Sequence, residues 1–426
     1  ALVLISTGAR AAEVQEDEPA FRSSLDVGFG MVDEDGFFLL LLEQGFSGWG
    51  LDVVLSGPLR FRAVDRAPAD DGVLREQDWD EPSDFARIPR SIRFATDWNN
   101  GAFDMRFGEL NGVGLGHGSV VDAYYNSTDM DHYQGGLVIS GEYAGNGLEL
   151  LTENVVQPEV LVGRAFIAPL GWFLEGDWPR RLELGFTLAA DISIPYRVDP
   201  DHTGTTAVPI TGGDISLKII DTTWGVAAPY VDVMAMDGDL GVHAGLATTW
   251  TLSEEKQVLL HARGEYRYLG SDYHPSLFNP FYERNRRHYG VDPVTGESMT
   301  LADALALHGE DNSHGMMFDL SFDAGKKVLL GARYDREGSE RPHWIMFRLD
   351  LAPWEAVSLA MLYAGQDLGG GAGLFSWDSL IAAAVQVRIW GPLRAFAEFT
   401  RRFRRVGADM DLANETGAGV GVVFTY

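Results

Sequence analysis

The chain has 426 residues, no Cys and a formal net charge of −29. So acidic a chain offers no basic surface to nucleic acid, and without a thiol it carries neither a disulfide framework nor cysteine chemistry. No apolar run reaches the about 18 residues that a transmembrane helix needs, so any membrane must be crossed by strands.

The first residues read as the end of an export signal. Leu2-Val3-Leu4-Ile5 closes an apolar core, Ala9-Arg10-Ala11 has small residues where a signal peptidase reads, and an acidic stretch begins at Glu13. The expectation is a signal-peptide remnant over 1–11, a periplasmic amino-terminal segment over 12–22, and the fold over 23–426.

From Ser23 onward, alternating segments of about 10 residues recur between turn residues. Leu25, Val27, Phe29 and Met31 alternate with small or polar partners, and Asp33-Glu34-Asp35-Gly36 turns the chain. Residues 36–46 form the most apolar strand, and 49–62 return after Ser47-Gly48. An acidic loop is expected over 64–84, with Asp65, Asp70, Asp71, Asp78 and Asp80 solvated. A strand over 85–97 would set Arg87 and Arg93 opposite Ile88, Ile92 and Phe94. Asn99-Asn100-Gly101 signals a hairpin, after which Phe103, Met105 and Phe107 alternate with Asp104 and Arg106.

Residues 109–132 break this pattern. Gly112, Gly114, Gly116 and Gly118 alternate with Val113, Leu115, His117 and Ser119, and Tyr124, Tyr125, Asn126 and several Asp surround them. The meander resumes at Leu137. Its clearest strand is 181–191, where Leu182, Leu184, Phe186 and Leu188 alternate with Arg181, Glu183, Gly185 and Thr187. Further long loops are expected over 195–213 and 272–312, the latter with one short helix capped by Thr300 and ended by Gly309. Between them, 258–268 sets His261, Arg263, Glu265 and Arg267 on one face. Turns near 326–327, 338–342, 353, 369–371, 391–392 and 407–415 divide the remainder.

The final segment, 416–426, sets Ala418, Val420, Val422, Phe424 and Tyr426 on one face and ends on an aromatic residue. Chain ends usually fray, whereas the last strand of a closed membrane barrel must pair with the first and show lipid an apolar face. This segment resembles the terminal strand of Gram-negative outer-membrane β-barrels, and the whole chain resembles porin-like members of that class. The strand pattern predicts an all-β fold, a single antiparallel up-and-down transmembrane barrel of about 20 strands (18–22). Parity puts the long loops on the extracellular side and the short turns on the periplasmic side. Trp49, Trp172, Trp178, Trp354, Trp377 and Trp390 near strand ends fit an aromatic girdle. The resemblance implies integral residence in the outer membrane, contact with lipid and lipopolysaccharide, and recognition of the last strand by the barrel-assembly machinery.

The alternate faces direct Arg87, Arg93, Arg106, Arg164, Arg263, Arg267, Arg333, Arg348, Arg388, Arg402 and Arg404 inward, with Asp104, Glu183, Glu265, Asp319, Asp335 and Glu398 among them. Charges in a dry core are costly, so this number calls for water or dense pairing. Segment 109–132 is the candidate inward loop, its glycines allowing close passage along a wall. Its Asp122, Asp129 and Asp131 could face the arginines across a constriction, with His117, Tyr124, Tyr125 and Asn126 beside them. Alternatively the arginines form structural pairs and 109–132 lies outside. Gly116-His117-Gly118-Ser119 lacks the third member of a nucleophilic constellation, and the ten His show no metal-ligand spacing; no cofactor is called for and no enzyme is expected. The expected function is a porin-like channel for passive diffusion of small polar or charged solutes. The alternative is a non-conducting barrel that anchors a secretion or polysaccharide-export assembly, its long loops binding a surface polysaccharide or protein.

Overall fold

A computed structural model describes residues 20–66, 72–98, 100–176, 178–196, 204–291, 298–306, 312–325, 327–336, 343–354, 356–366, 379–406 and 409–426. Residues 1–19 lie outside them, and with them the signal-peptide expectation; so do Gly309 and the expected turns at 338–342 and 369–371.

One antiparallel sheet contains 21 strand pieces, one of which, Ile220–Thr222, continues Thr205–Leu217 along the same neighbour. The wall therefore has 20 strands, as the alternation predicted. It closes on itself. Ala20–Val32 pairs with Asp35–Gly48 on one side and with Asp409–Thr425 on the other, in a register that sets Leu25 beside Val422 and Val27 beside Val420. Closure leaves no open edge, which is what lets strands cross hydrocarbon with every ladder hydrogen bond made.

The outward residues are apolar and exposed. Leu184, Ile215 and Val231 follow one another across three strands, and Phe186, Leu188, Phe318, Leu320, Val420 and Phe424 extend the band. This is a lipid-facing surface: a soluble β-protein would turn the same side chains inward. The architecture is that of a closed membrane-spanning β-barrel. The seam carries its own lock. Arg394 grips Asp26 of the first strand through both carboxylate oxygens, at 2.7 and 2.9 Å, passing over Gly421 of the last. A Cβ at Gly421 would collide with Asp26.

Some expected boundaries move. Residues 82–87 form a 3-10 helix because Pro82 occupies its first turn and Glu81 and Asp84 make a reciprocal capping box; Arg87 therefore sits on a loop element, not on a strand. The loop expected over 195–213 is mostly wall, since strands reach Pro195 and restart at Thr205. The turn expected over 407–415 is wall from Asp409 onward. Asp78 is not solvated: burial alone would raise its pKa, but Arg60, Arg75 and Arg87 converge on it and lower it to about 2.

Candidate functional site: a lumen crossed by two segments

A barrel of this strand number is wide enough for an aqueous channel. Here the lumen is occupied. The 109–135 segment leaves the wall at Gly108 and re-enters it at Gly136. Asn126 closes its base: the side-chain oxygen accepts from the Leu110 N–H at 2.7 Å, and the amide donates to the carbonyls of Gln134 and Glu153 at 2.9 and 2.8 Å. Gly116 and Gly118 adopt φ of +55° and +85°, and a side chain at either would strike Arg164 or the Asp122–Arg263 pair.

A second inward segment was read from sequence only as part of an extracellular loop. Residues 270–291 fold into the lumen and pack on the first: Val121 and Phe278 pair as parallel backbone, and Asp122 N–H reaches the Phe278 carbonyl at 3.0 Å. Its short helix, Tyr282–Asn285, aims Glu283 at the Tyr124 hydroxyl (2.6 Å) and the Tyr282 hydroxyl at Asp191 of the wall (2.5 Å). Burial raises the pKa of both Glu283 and Tyr124. Val121, Tyr124, Phe278 and Tyr282 join wall residues such as Ile194 and Met234 in one apolar core inside the barrel. The aromatic-basic run 278–284 was the available signal for this segment. The helix Leu301–Ala306 is capped as predicted, Thr300 and Asp303 exchanging bonds of 2.9 and 3.2 Å.

The charged residues named from sequence fall into distinct groups. Asp122 crosses to the far wall and contacts Arg263 and Arg333, the latter at 2.6 and 2.7 Å. Burial would raise the Asp122 pKa, and the two guanidinium groups outweigh it, so it is held low. Arg267 is fully buried between Glu265 and Asp335. Asp131 contacts Arg75 and Arg404, and Asp129 meets His132 at 3.0 Å while its backbone bridges Phe403 on the wall. Arg93 and Arg106 share Asp104, Arg348 holds Asp350, and Arg402 holds Glu415. Acids and arginines thus touch rather than confront each other across open water. Asn126 and Tyr124 are buried structural groups; His117 contacts Asp232 at 2.9 Å.

Beside the packed segments lies a cavity of ≈ 130 Å³ of water-accessible space. Tyr125 and 127–130 form its inner side, and wall residues Arg60, Leu380, Arg401 and Arg402 its outer side. Arg87, Arg90, Glu109 and Glu398 also border it. Tyr125, Asp129, Arg87 and Arg402 were candidates from sequence, as was Glu398 among the inward acids; Arg60 and Arg401 became visible only with the register. The lining sets cationic and anionic groups next to Leu362 and Leu380, a surface suited to a solute that is charged at one end and apolar at the other.

No family model matches the chain, and no curated protein matches its sequence. Solved outer-membrane structures overlap it loosely. OccK11 (OpdR) of Pseudomonas aeruginosa covers 96% of this chain and 96% of its own, at TM-score 0.36 and 10% identity. The outer membrane protein OpdK of the same organism gives 0.35 at 9% identity, over 96% and 99% of the two chains. OccAB4 of Acinetobacter baumannii gives 0.34 at 8%, over 97% and 99%. The fold assignment stands on this chain's own strand register and closure.

Proposed function

We propose that this barrel is a narrow channel for passive diffusion of small polar or charged solutes, with its path running past the cavity between the inward segments and the Arg60–Arg402 side of the wall. The observation that carries this reading is the cavity itself, in which Arg402 keeps 27% exposure and charged and apolar side chains share one lining. Passage is governed by inward side chains, and this lining favours solutes bearing charge.

The test is conductance of the refolded chain in planar bilayers, with and without residues 112–131. Stepwise, salt-dependent currents that grow on deletion support the channel. The buried core shared by the two segments favours one other reading, a plugged, non-conducting barrel that serves as an anchor. A folded, heat-modifiable barrel silent in both forms would establish that reading and end the channel proposal.

A further inference from the structure

We propose that His117, Asp214 and Asp232 form a binding site for a divalent transition-metal ion of the zinc class, which fastens the first inward segment to the barrel wall. The inference does not depend on whether the barrel conducts.

The geometry starts from the sheet. Asp214 on Thr205–Leu217 and Asp232 on Gly225–Met236 are direct cross-strand partners, so both carboxylates project from one patch of the inner wall. Both are buried, Asp232 completely. The inward segment then lowers His117 onto them. Its Nδ1 lies 2.9 Å from Asp232 Oδ1 and 3.8 Å from Asp214 Oδ1, and one donor atom from each residue falls within 4.8 Å of the other two. Those separations suit a common ion with bonds of roughly 2.0–2.2 Å. The imidazole is held in orientation by Tyr230, whose ring stacks on it at 4.2 Å and 10°, and whose hydroxyl is anchored on Glu265 at 2.7 Å.

A second observation points to a missing ligand. The other oxygen of Asp232, Oδ2, is buried and has no hydrogen-bond partner among the described residues. An unsatisfied carboxylate oxygen in a dry site is expensive and calls for an explanation. Charge gives the same direction. Arg164, the cation on Asp214, is shared with Glu183 and Glu149, at 2.8, 2.8 and 3.3 Å, so three carboxylates divide one positive charge. Among the described residues, the one ion pair of Asp232 is with the imidazole. On the far side of Asp232, His243 already pairs with Glu265. A cavity of ≈ 10 Å³ bordered by His117, Thr187 and Asp214 leaves, to order of magnitude, the space one water needs at a further coordination position.

The donor set selects the ion. One imidazole with two carboxylates suits zinc and its neighbours, whereas calcium and magnesium seek six or more oxygens. The rival arrangement is a simple hydrogen bond, with the proton on Nδ1 donated to Asp232. Metal binding requires that nitrogen to be free of its proton, so the two are mutually exclusive.

The experiment uses the full chain refolded in detergent, stripped with chelator and dialysed against zinc chloride alone, with metal counted per barrel and cobalt(II) absorption as a second probe. The expected result is one zinc per wild-type barrel, not displaced by excess magnesium. His117→Ala and Asp232→Asn should weaken it by more than the roughly 10–100-fold that loss of an outer-shell partner costs, while both variants still migrate as folded, heat-modifiable barrels. Absence of saturable zinc in the wild type overturns the proposal without reference to any variant. Retention of zinc by His117→Ala, or by Asp232→Asn where the former fails to fold, overturns it equally.

Discussion

Arg267 and Arg402 occupy comparable places, inward positions on barrel strands, yet they live in different media. Arg267 is wholly buried, clasped by Glu265 and Asp335, with the second inward segment over it through Ser276. Arg402 holds Glu415 at 3.0 Å while its side chain keeps 27% exposure beside the cavity. The wall chemistry is similar; what differs is what covers it. Where both inward segments pack, the lumen is sealed and its charges are structural. Beside the cavity, which 127–130 and Pro280 border, Arg402 keeps part of its surface open.

The largest test of that contrast is Arg267→Leu. It removes the shared cation of Glu265 and Asp335 in a dry site and leaves them to His243, Tyr230 and Arg333, so unfolding in urea should reveal a loss of about 3 kcal/mol, the low end for a broken buried pair. An unchanged midpoint would mean that water reaches the sealed side. Next is Asn126→Ala, which frees the buried Leu110 N–H and the carbonyls of Gln134 and Glu153. A loss of about 1–3 kcal/mol is expected, and protease should then cleave within 109–135 before the wall opens. Intact segments in that variant would show that the apolar core alone retains them.

A pH effect sharpens the comparison further. Burial raises the Glu153 pKa from 4.5 to about 7, although the N–H groups of Glu159 and Val160 favour its charged form. A carboxyl with a raised folded pKa holds its proton more tightly in the native state. Its contribution is therefore complete below about 4.5 and is lost as pH rises through about 7. Amide exchange at Asn126 and Val160 should accelerate between pH 5 and 8, and Glu153→Gln should flatten that profile. Smallest in stability is Arg402→Ala, about 0–1 kcal/mol, because Arg402 is partly exposed and the buried Glu415 keeps Arg60 as a partner. Its signature is instead a lower anion preference in bilayer reversal potentials, and an unaltered preference would remove Arg402 from the path.

The wall was legible from alternation and parity because each strand's periodicity is local, and the closing register of Leu25 with Val422 follows once both end strands must face lipid. Segment 109–132 stood out through its glycines, which announce a backbone passing close to other groups, but the pattern left open whether it lies inside or outside the barrel. The second inward segment was not legible as one. Phe278 and Tyr282 look the same in sequence whether they cap a loop or enter a lumen, and only the pairing of Val121 with Phe278 decides. Asp78 was misread because the arginines that bury it come from three separate stretches. Asp214 and Asp232 escaped notice for a similar reason: 18 positions apart, they become neighbours only through strand pairing.

The tryptophans add a consequence of a different kind. Trp49, Trp98, Trp172, Trp178, Trp224, Trp354 and Trp390 are the strongly exposed ones among the described residues, and each lies at the end of the barrel that carries the short turns and the last residue, Tyr426. Trp344, near the opposite end, is buried inside. Indoles prefer the headgroup level, so these seven moor the barrel at that interface; Trp377 lies outside the described residues. In a thicker or thinner bilayer the moored rim should keep its depth while the loop-bearing rim rises or sinks, turning membrane thickness into loop height above the surface.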